Sequence, residues 1–364
     1  MMKGKIVYFE GSKKFGFAEH DLPEVEPGAV LVKVLCTNIC GSDVKNWLGS
    51  SSVGIGAKET CQGHEFVGEI YQLGEGVETD SMGQPVKVGD RIVAPYYITC
   101  GTCDACKAGR YDLCENAYIH LGTEPTQWPY FGGTFASHYY IYPDQKFYKV
   151  PDDVPNELAV GVNCAFSQVY YGLERADLKG GETLLIQGAG GLGIYAAAIA
   201  KEKGARVIMI DGVKERLEFA KRFGVDEIID LNEIKELADR EQRVKELTNG
   251  KGVNVALEVT GFAGAFEEGI RHLAVMGRYI VIGINSTAVS ATISPGYITR
   301  KALTVYGVVR YLPEYLHKSL IFLEKYQNKY PFNEFSQKTF SLNEIGEALQ
   351  LSADKKITRA IIKP

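Results

Sequence analysis

Apolar positions along the chain follow two rhythms, and the change comes near residue 156. Before it, short runs rich in β-branched and aromatic residues (5–9, 30–34, 65–71, 91–94 and 136–142) are separated by Gly, Pro and Asp turns. That pattern predicts strands. After it, residues 157–176 have helical spacing, and from Thr183 strand-length apolar runs alternate with helix-length amphipathic ones. The predicted order is strand 183–186, a helix ending at Gly204, strand 207–210, helix 214–223 and strand 227–230. A charged helix at 232–249, strand 253–259, helix 265–274 and strand 278–284 follow. Such alternation implies a parallel sheet covered on both faces. Past Leu303 the chain turns aromatic again and ends in two predicted helices and a strand at 360–363.

One joint in this pattern carries chemistry of its own. The strand at 183–186 runs into Gly188-Ala189-Gly190-Gly191-Leu192-Gly193, which opens an Ala-rich helix, and the next strand delivers Asp211 at its tip. Strand, glycine turn, helix, strand and acid together form the fingerprint of a dinucleotide site. Gly188 allows the tight turn, Gly190 lets the backbone approach a pyrophosphate, and Gly193 lets helix and strand pack closely. The free N–H groups of the helix N-terminus suit the diphosphate. Asp211 suits the adenosine ribose hydroxyls, which predicts NAD; Lys214 and Arg216 follow closely enough to soften the rejection of NADP.

Composition narrows the setting. A chain of 364 residues with 45% hydrophobic residues exceeds what one core usually supports, so two domains are expected. A formal net charge of -5 with interspersed signs gives no footprint for nucleic acid or an anionic membrane surface. No apolar run approaches membrane-spanning length, and the first residues lack the apolar core of a secretory signal. The expectation is a cytoplasmic protein, in which eight cysteines bind metal more readily than they form disulfides.

Four of those cysteines are clustered. Cys100, Cys103, Cys106 and Cys114 have the spacing of a closed tetrahedral zinc site. An iron–sulfur cluster or a redox dithiol uses similar spacing, though a nicotinamide fold without an electron-transfer partner motif favours zinc. The other candidates are scattered: Cys40-Gly41-Ser42-Asp43 at the end of a predicted strand, Gly63-His64-Glu65 after a loop, and Cys164 before the dinucleotide region. Cys36 and Cys61 lie in or beside apolar runs and read as core residues.

Together, GHE at 63–65, the four-cysteine stretch, VGDRIVAP at 88–95 and GAGGLG resemble the zinc-dependent medium-chain alcohol dehydrogenase family over essentially the whole chain. The resemblance implies an α/β architecture. A GroES-like β-rich catalytic domain would span 1–165 and a Rossmann NAD-binding domain with a doubly wound parallel sheet 166–300, with a C-terminal return to the catalytic domain over 301–364. It implies two Zn2+ per chain. One is structural, on the four clustered cysteines; the other is catalytic, on Cys40, His64 and Cys164 with Glu65 able to approach. Three protein ligands would leave the fourth position for substrate. Polyol dehydrogenases of the family typically have glutamate where this chain has Cys164, which favours simple alcohols and aldehydes or ketones.

The same match gives Ser42 the start of a proton relay and Asp43 the orientation of His64. Lys45 stands where several members carry the outer histidine of that relay. Arg359 matches a diphosphate-contacting arginine, and Trp47, Tyr96, Tyr130 and Phe131 fall near positions lining the substrate pocket. The implied protein is a homodimer or homotetramer acting on a small alcohol, aldehyde or ketone. A zinc polyol, sugar or amino-alcohol dehydrogenase is the alternative enzyme. A non-catalytic NAD-binding protein would be expected to lack a ligand, and none is missing.

Overall fold

The computed structural model describes residues 2–49, 59–284, 286–335 and 338–364. The chain forms two units, Met1–Ser167 with Leu312–Pro364, and Gln168–Tyr311. The first is built from the early strands. Lys3–Gly11 pairs antiparallel with Lys14–Asp21 and with Thr60–Cys61. A second sheet centres on Val30–Asn38, which pairs antiparallel with Phe66–Leu73, His138–Ile141 and the C-terminal strand Ala360–Lys363. Its core is the apolar face expected of alternating strands: Val30, Val32, Val34, Phe66, Ile70 and Ile92 are all buried together.

In the second unit every strand pair is parallel. Among the described residues the sheet order is Glu227–Asp230, Arg206–Asp211, Thr183–Gln187, Val253–Glu258, Leu273–Val281, Thr304–Gly307. In chain order this is 3-2-1-4-5-6, the doubly wound arrangement whose ligands bind at the carboxyl ends of the strands. The central strands Thr183–Gln187, Arg206–Asp211 and Val253–Glu258 are buried along most of their length because both faces are covered, while the edge strand Thr304–Gly307 is largely exposed.

Three expectations needed correcting. The seam expected near 300 falls at 311/312, because Thr304–Gly307 adds a sixth strand beside Leu273–Val281. The helix expected at 232–249 starts only at Leu237, since the Asp230 carboxylate accepts the Asn232 N–H and holds a turn there. The helix expected at 157–176 is three pieces: Asn156–Ala159, the 3-10 turn Val160–Asn163, and Ala165–Arg175. The last break falls on Cys164, whose φ of -133° and ψ of -83° are not helical.

Candidate active site and metal centres

The four-cysteine stretch folds on itself. A one-turn helix, Asp104–Lys107, and a 3-10 turn, Tyr111–Leu113, bring Cys100, Cys103, Cys106 and Cys114 together, with their sulfurs within 4.8 Å of one another. Donors are already aimed at sulfur. The Cys100 N–H points at the Cys114 Sγ (3.4 Å), and the Cys103 N–H and Thr102 hydroxyl both point at the Cys100 Sγ (3.5 Å each). These bonds, the Thr102 hydroxyl foremost, pull the Cys100 thiol down to about 5. Four soft donors closing on one point, with hydrogen bonds that favour thiolate, fit a structural zinc.

The scattered candidates also converge. The donor atoms of Cys40, His64, Glu65 and Cys164 lie within 4.8 Å of one another. Cys40 is the N-cap of the short helix Gly41–Trp47. His64 follows Gly63, whose φ of +87° only glycine adopts easily and whose Cβ would sit 2.6 Å from both Phe135 N and Thr134 Oγ1. Cys164 projects from the helix break. Asp43 ties two of these together: Oδ1 faces His64 Nδ1 at 3.1 Å, and Oδ2 accepts the Cys40 N–H at 2.8 Å. That contact turns His64 Nε2 toward the other donors, 3.7 Å from Glu65 Oε1.

Crowding sets the protonation. Hydrogen bonding from Cys164 draws the Cys40 thiol well below its usual value, while the same contact, with burial, pushes Cys164 well above it. Burial pushes the fully enclosed Glu65 carboxyl up to about 8 against the opposing charge of Arg359. Among the described residues, Glu65 Oε1 is buried without a hydrogen-bond partner. A sulfur, nitrogen and carboxylate donor set with one orphaned buried oxygen fits a zinc ion.

The remaining site residues separate into groups. Ser42 and Lys45 are exposed on the helix Gly41–Trp47. Arg359, expected on a diphosphate, lies in the metal centre, its Nη1 3.2 Å from Glu65 Oε2. Tyr96 is edge-on to His64, with ring centroids 5.2 Å apart. The other pocket candidates lie in apolar clusters: Trp47 is 4% exposed with Val7, Ile39 and Phe340. Phe131 is fully buried with Ile6 and Cys61, and Tyr130 packs beside them, stacked on His20. Aromatic residues are good core fillers, and sequence position alone did not distinguish the two roles. Cys36 and Cys61 are buried, and burial pushes both thiols up to about 12.

In the second unit, Gly188 has a φ of +112°, and a Cβ on Gly193 would overlap the Gly188 carbonyl oxygen. At Gly190, the N-cap of helix Gly191–Glu202, a Cβ would meet open space. Gly191 and Leu192 form the first turn of that helix. Asp211 holds the turn from below: Oδ2 accepts the Ala189 N–H (2.7 Å) and Oδ1 the Val213 N–H (2.8 Å). An open, glycine-lined helix start beside an anchored acid fits a dinucleotide. Lys214 pairs with Glu233 at 2.8 Å, which occupies its charge, and Arg216 is half-buried.

Known proteins share this arrangement. A profile described as "Alcohol dehydrogenase GroES-like domain" matches residues 26–152, and one described as "Zinc-binding dehydrogenase" matches 191–325. The chain is 30% identical over 340 residues to 5-exo-hydroxycamphor dehydrogenase of Pseudomonas putida, covering 93% of this chain and 91% of that one. The chain belongs to the zinc-type medium-chain alcohol dehydrogenase family. An L-threonine 3-dehydrogenase of Pyrococcus furiosus is 35% identical over 293 residues, 80% of this chain and 78% of that one. The crystal structure of an alcohol dehydrogenase from Thermotoga maritima superposes over the full length of both chains with a TM-score of 0.93 at 25% identity. As a member of this family the protein is an oxidoreductase that uses zinc and a nicotinamide cofactor on a small alcohol or carbonyl compound.

Sequence reasoning missed the groups that hold the donors in place. Thr37 and Thr134, both buried, donate to the Glu65 carbonyl. Asn163, immediately before Cys164, bonds to two distant backbone groups. A small polar residue inside an apolar run was the one available signal, and it carries no spacing rule.

Proposed function

We propose that the protein transfers hydride between a simple alcohol and NAD, with one zinc at Cys40, His64 and Cys164 and a second at the four clustered cysteines. The observation that carries this is the convergence of three ligands and a buried carboxylate from segments up to 124 positions apart, Cys40 to Cys164, onto one point. Bound zinc supplies positive charge that eases removal of the alcohol proton, and bound nicotinamide accepts the hydride. Cys40, His64 and Cys164 hold the ion and leave one position for substrate. Asp43 fixes the tautomer and orientation of His64. Ser42 accepts the alcohol proton and donates its own onward, as a hydroxyl does both. Lys45 assists at the outer end. Asp211 selects NAD, because a 2′-phosphate would meet its carboxylate at close range.

Tyr96 beside His64 and a cysteine rather than a glutamate at 164 favour simple or aromatic alcohols over polyols. Sorbitol and threonine dehydrogenases among the relatives keep the second substrate class in view. NADH absorbance with a panel of primary, secondary and aromatic alcohols, sorbitol and threonine separates the two. The proposal predicts the highest kcat/KM on the simple alcohols with NAD. Preference for sorbitol or threonine moves the protein to the second class, and no turnover of any alcohol or carbonyl by zinc-replete protein overturns the proposal.

A further inference from the structure

Cys164 is the ligand farthest in sequence from the others, and nothing in its own backbone conformation is regular. What fixes it lies one residue earlier. Asn163 is 0% exposed at the end of the 3-10 turn. Its Oδ1 accepts the Phe66 N–H at 3.1 Å, the amide next to Glu65, and its Nδ2 donates to the Ala94 carbonyl at 2.8 Å, two residues before Tyr96. A backbone N–H only donates and a carbonyl only accepts, so the two partners demand one acceptor and one donor from a single short side chain. Asparagine meets that demand; aspartate and alanine each lose at least one bond. On the other side of Cys164, the buried Ser167 hydroxyl bonds to the Val162 carbonyl at 2.6 Å.

We infer that Asn163 is a positioning residue for the catalytic metal: its side-chain amide sets the distance between Cys164 and the His64–Glu65 segment, and so the affinity and geometry of the site. The inference rests on the zinc-binding reading of Cys40, His64 and Cys164. One amide joins the helix break to two segments, at Phe66 and Ala94, whose strands already pair with each other. Loss of either bond lets the helix break at Cys164 move relative to strand Phe66–Leu73. Support of this kind around a ligand is worth about 10- to 100-fold in metal affinity.

The test uses the full-length holoenzyme and the variants Asn163→Ala and Asn163→Asp. Aspartate keeps the acceptor for Phe66 but faces the Ala94 carbonyl with a second acceptor, so it reports the lost donor if the alanine variant is not recovered folded. Zinc release is followed by competition with a chromogenic chelator, and the labile site is refilled with Co2+ to read its ligand-field spectrum. The expected result is weaker retention of one zinc by about 10-fold or more, retention of the other zinc as in wild type, and a shifted cobalt spectrum. The gain in Tm on refilling the labile site should also shrink, which a purely structural role would leave unchanged. Release within twofold of wild type and an unchanged cobalt spectrum overturn the inference alone. Wild-type protein without any labile metal overturns the zinc reading, and the inference with it.

Discussion

The two metal centres of the first unit use similar atoms and are built in opposite ways. The structural lobe takes four sulfurs from a stretch that runs from Cys100 to Cys114, and two short turns suffice to close it. The catalytic centre takes its donors from a helix N-cap, a strand entry and a helix break, at residues 40, 64–65 and 164. A site made by one loop depends on that loop alone. A site made by three segments needs the whole unit folded first, plus groups such as Asp43, Thr37 and Asn163 to fix the segments. The difference also divides their work. Under the proposed function, four sulfur ligands would leave zinc no free position, whereas three ligands would leave one for chemistry.

The largest effects should therefore fall on different quantities at the two centres. His64→Ala should lower kcat/KM by at least about three orders of magnitude, since Lewis-acid charge contributes several kcal/mol to such reactions. Its circular dichroism should stay close to wild type, with Tm lowered by the lost metal and by the buried Asp43 carboxylate left without its partner. Cys103→Ser should act on folding, because zinc affinity at a closed site is folding free energy on the order of 10 kcal/mol. Low yield and a strongly lowered Tm are expected there. Metal analysis should find two zincs per chain, and a chelator should abolish activity well before unfolding. One zinc in fully active protein, or activity that survives until the protein melts, would break the contrast between the centres.

The same contrast explains what was legible in the sequence. The lobe and the glycine turn are contiguous, so spacing alone located Cys100 to Cys114 and Gly188 to Asp211. The catalytic ligands were placed by resemblance, and the structure then brought them within reach of each other. Strand positions were legible because the runs at 30–34 and 65–71 are short, rich in β-branched and aromatic residues, and bounded by turn residues. The helix at 157–176 was not, because its apolar spacing continues through Cys164 while the backbone there leaves helical geometry and the Ser167 hydroxyl takes the Val162 carbonyl. The aromatic residues pose the same problem. Trp47 ends a helix and Tyr96 follows a strand, and tertiary contacts decide that one packs in a core and the other stands edge-on to His64.

Ser42→Ala probes the open centre next. Its hydroxyl is exposed on the helix capped by Cys40, and removing it should lower kcat by about two to four orders of magnitude, the usual scale of general acid–base help. Zinc content should not change. Near-normal turnover would remove the proton relay while leaving the metal reading intact. Asp211→Gly tests the contiguous motif of the second unit, where the carboxylate anchors the glycine turn and, under the proposed function, would face the adenosine ribose. The ratio of kcat/KM for NAD over NADP should fall by about tenfold or more, as removing one close like-charge contact of 1.4 kcal/mol or above requires. A wild-type preference for NADP would sink the assignment of Asp211.

The smallest effect belongs to Lys45. It lies three residues after Ser42 on the same helix, so the two side chains share a face. A proton leaving Ser42 is already at an exposed position, and water there offers a route that no side chain has to supply. An ammonium, moreover, has no lone pair with which to accept a proton. Lys45 therefore assists rather than carries the relay, and Lys45→Ala should lower kcat by less than about tenfold, below the loss in Ser42→Ala. The deficit should be greatest at low pH, where bulk base is scarce, and added amine buffer should restore part of it. A pH–rate profile identical to wild type would remove Lys45 from proton release. A loss as large as that of Ser42→Ala would mean that solvent does not reach Ser42 during turnover, so that the open centre is closed to water when it works.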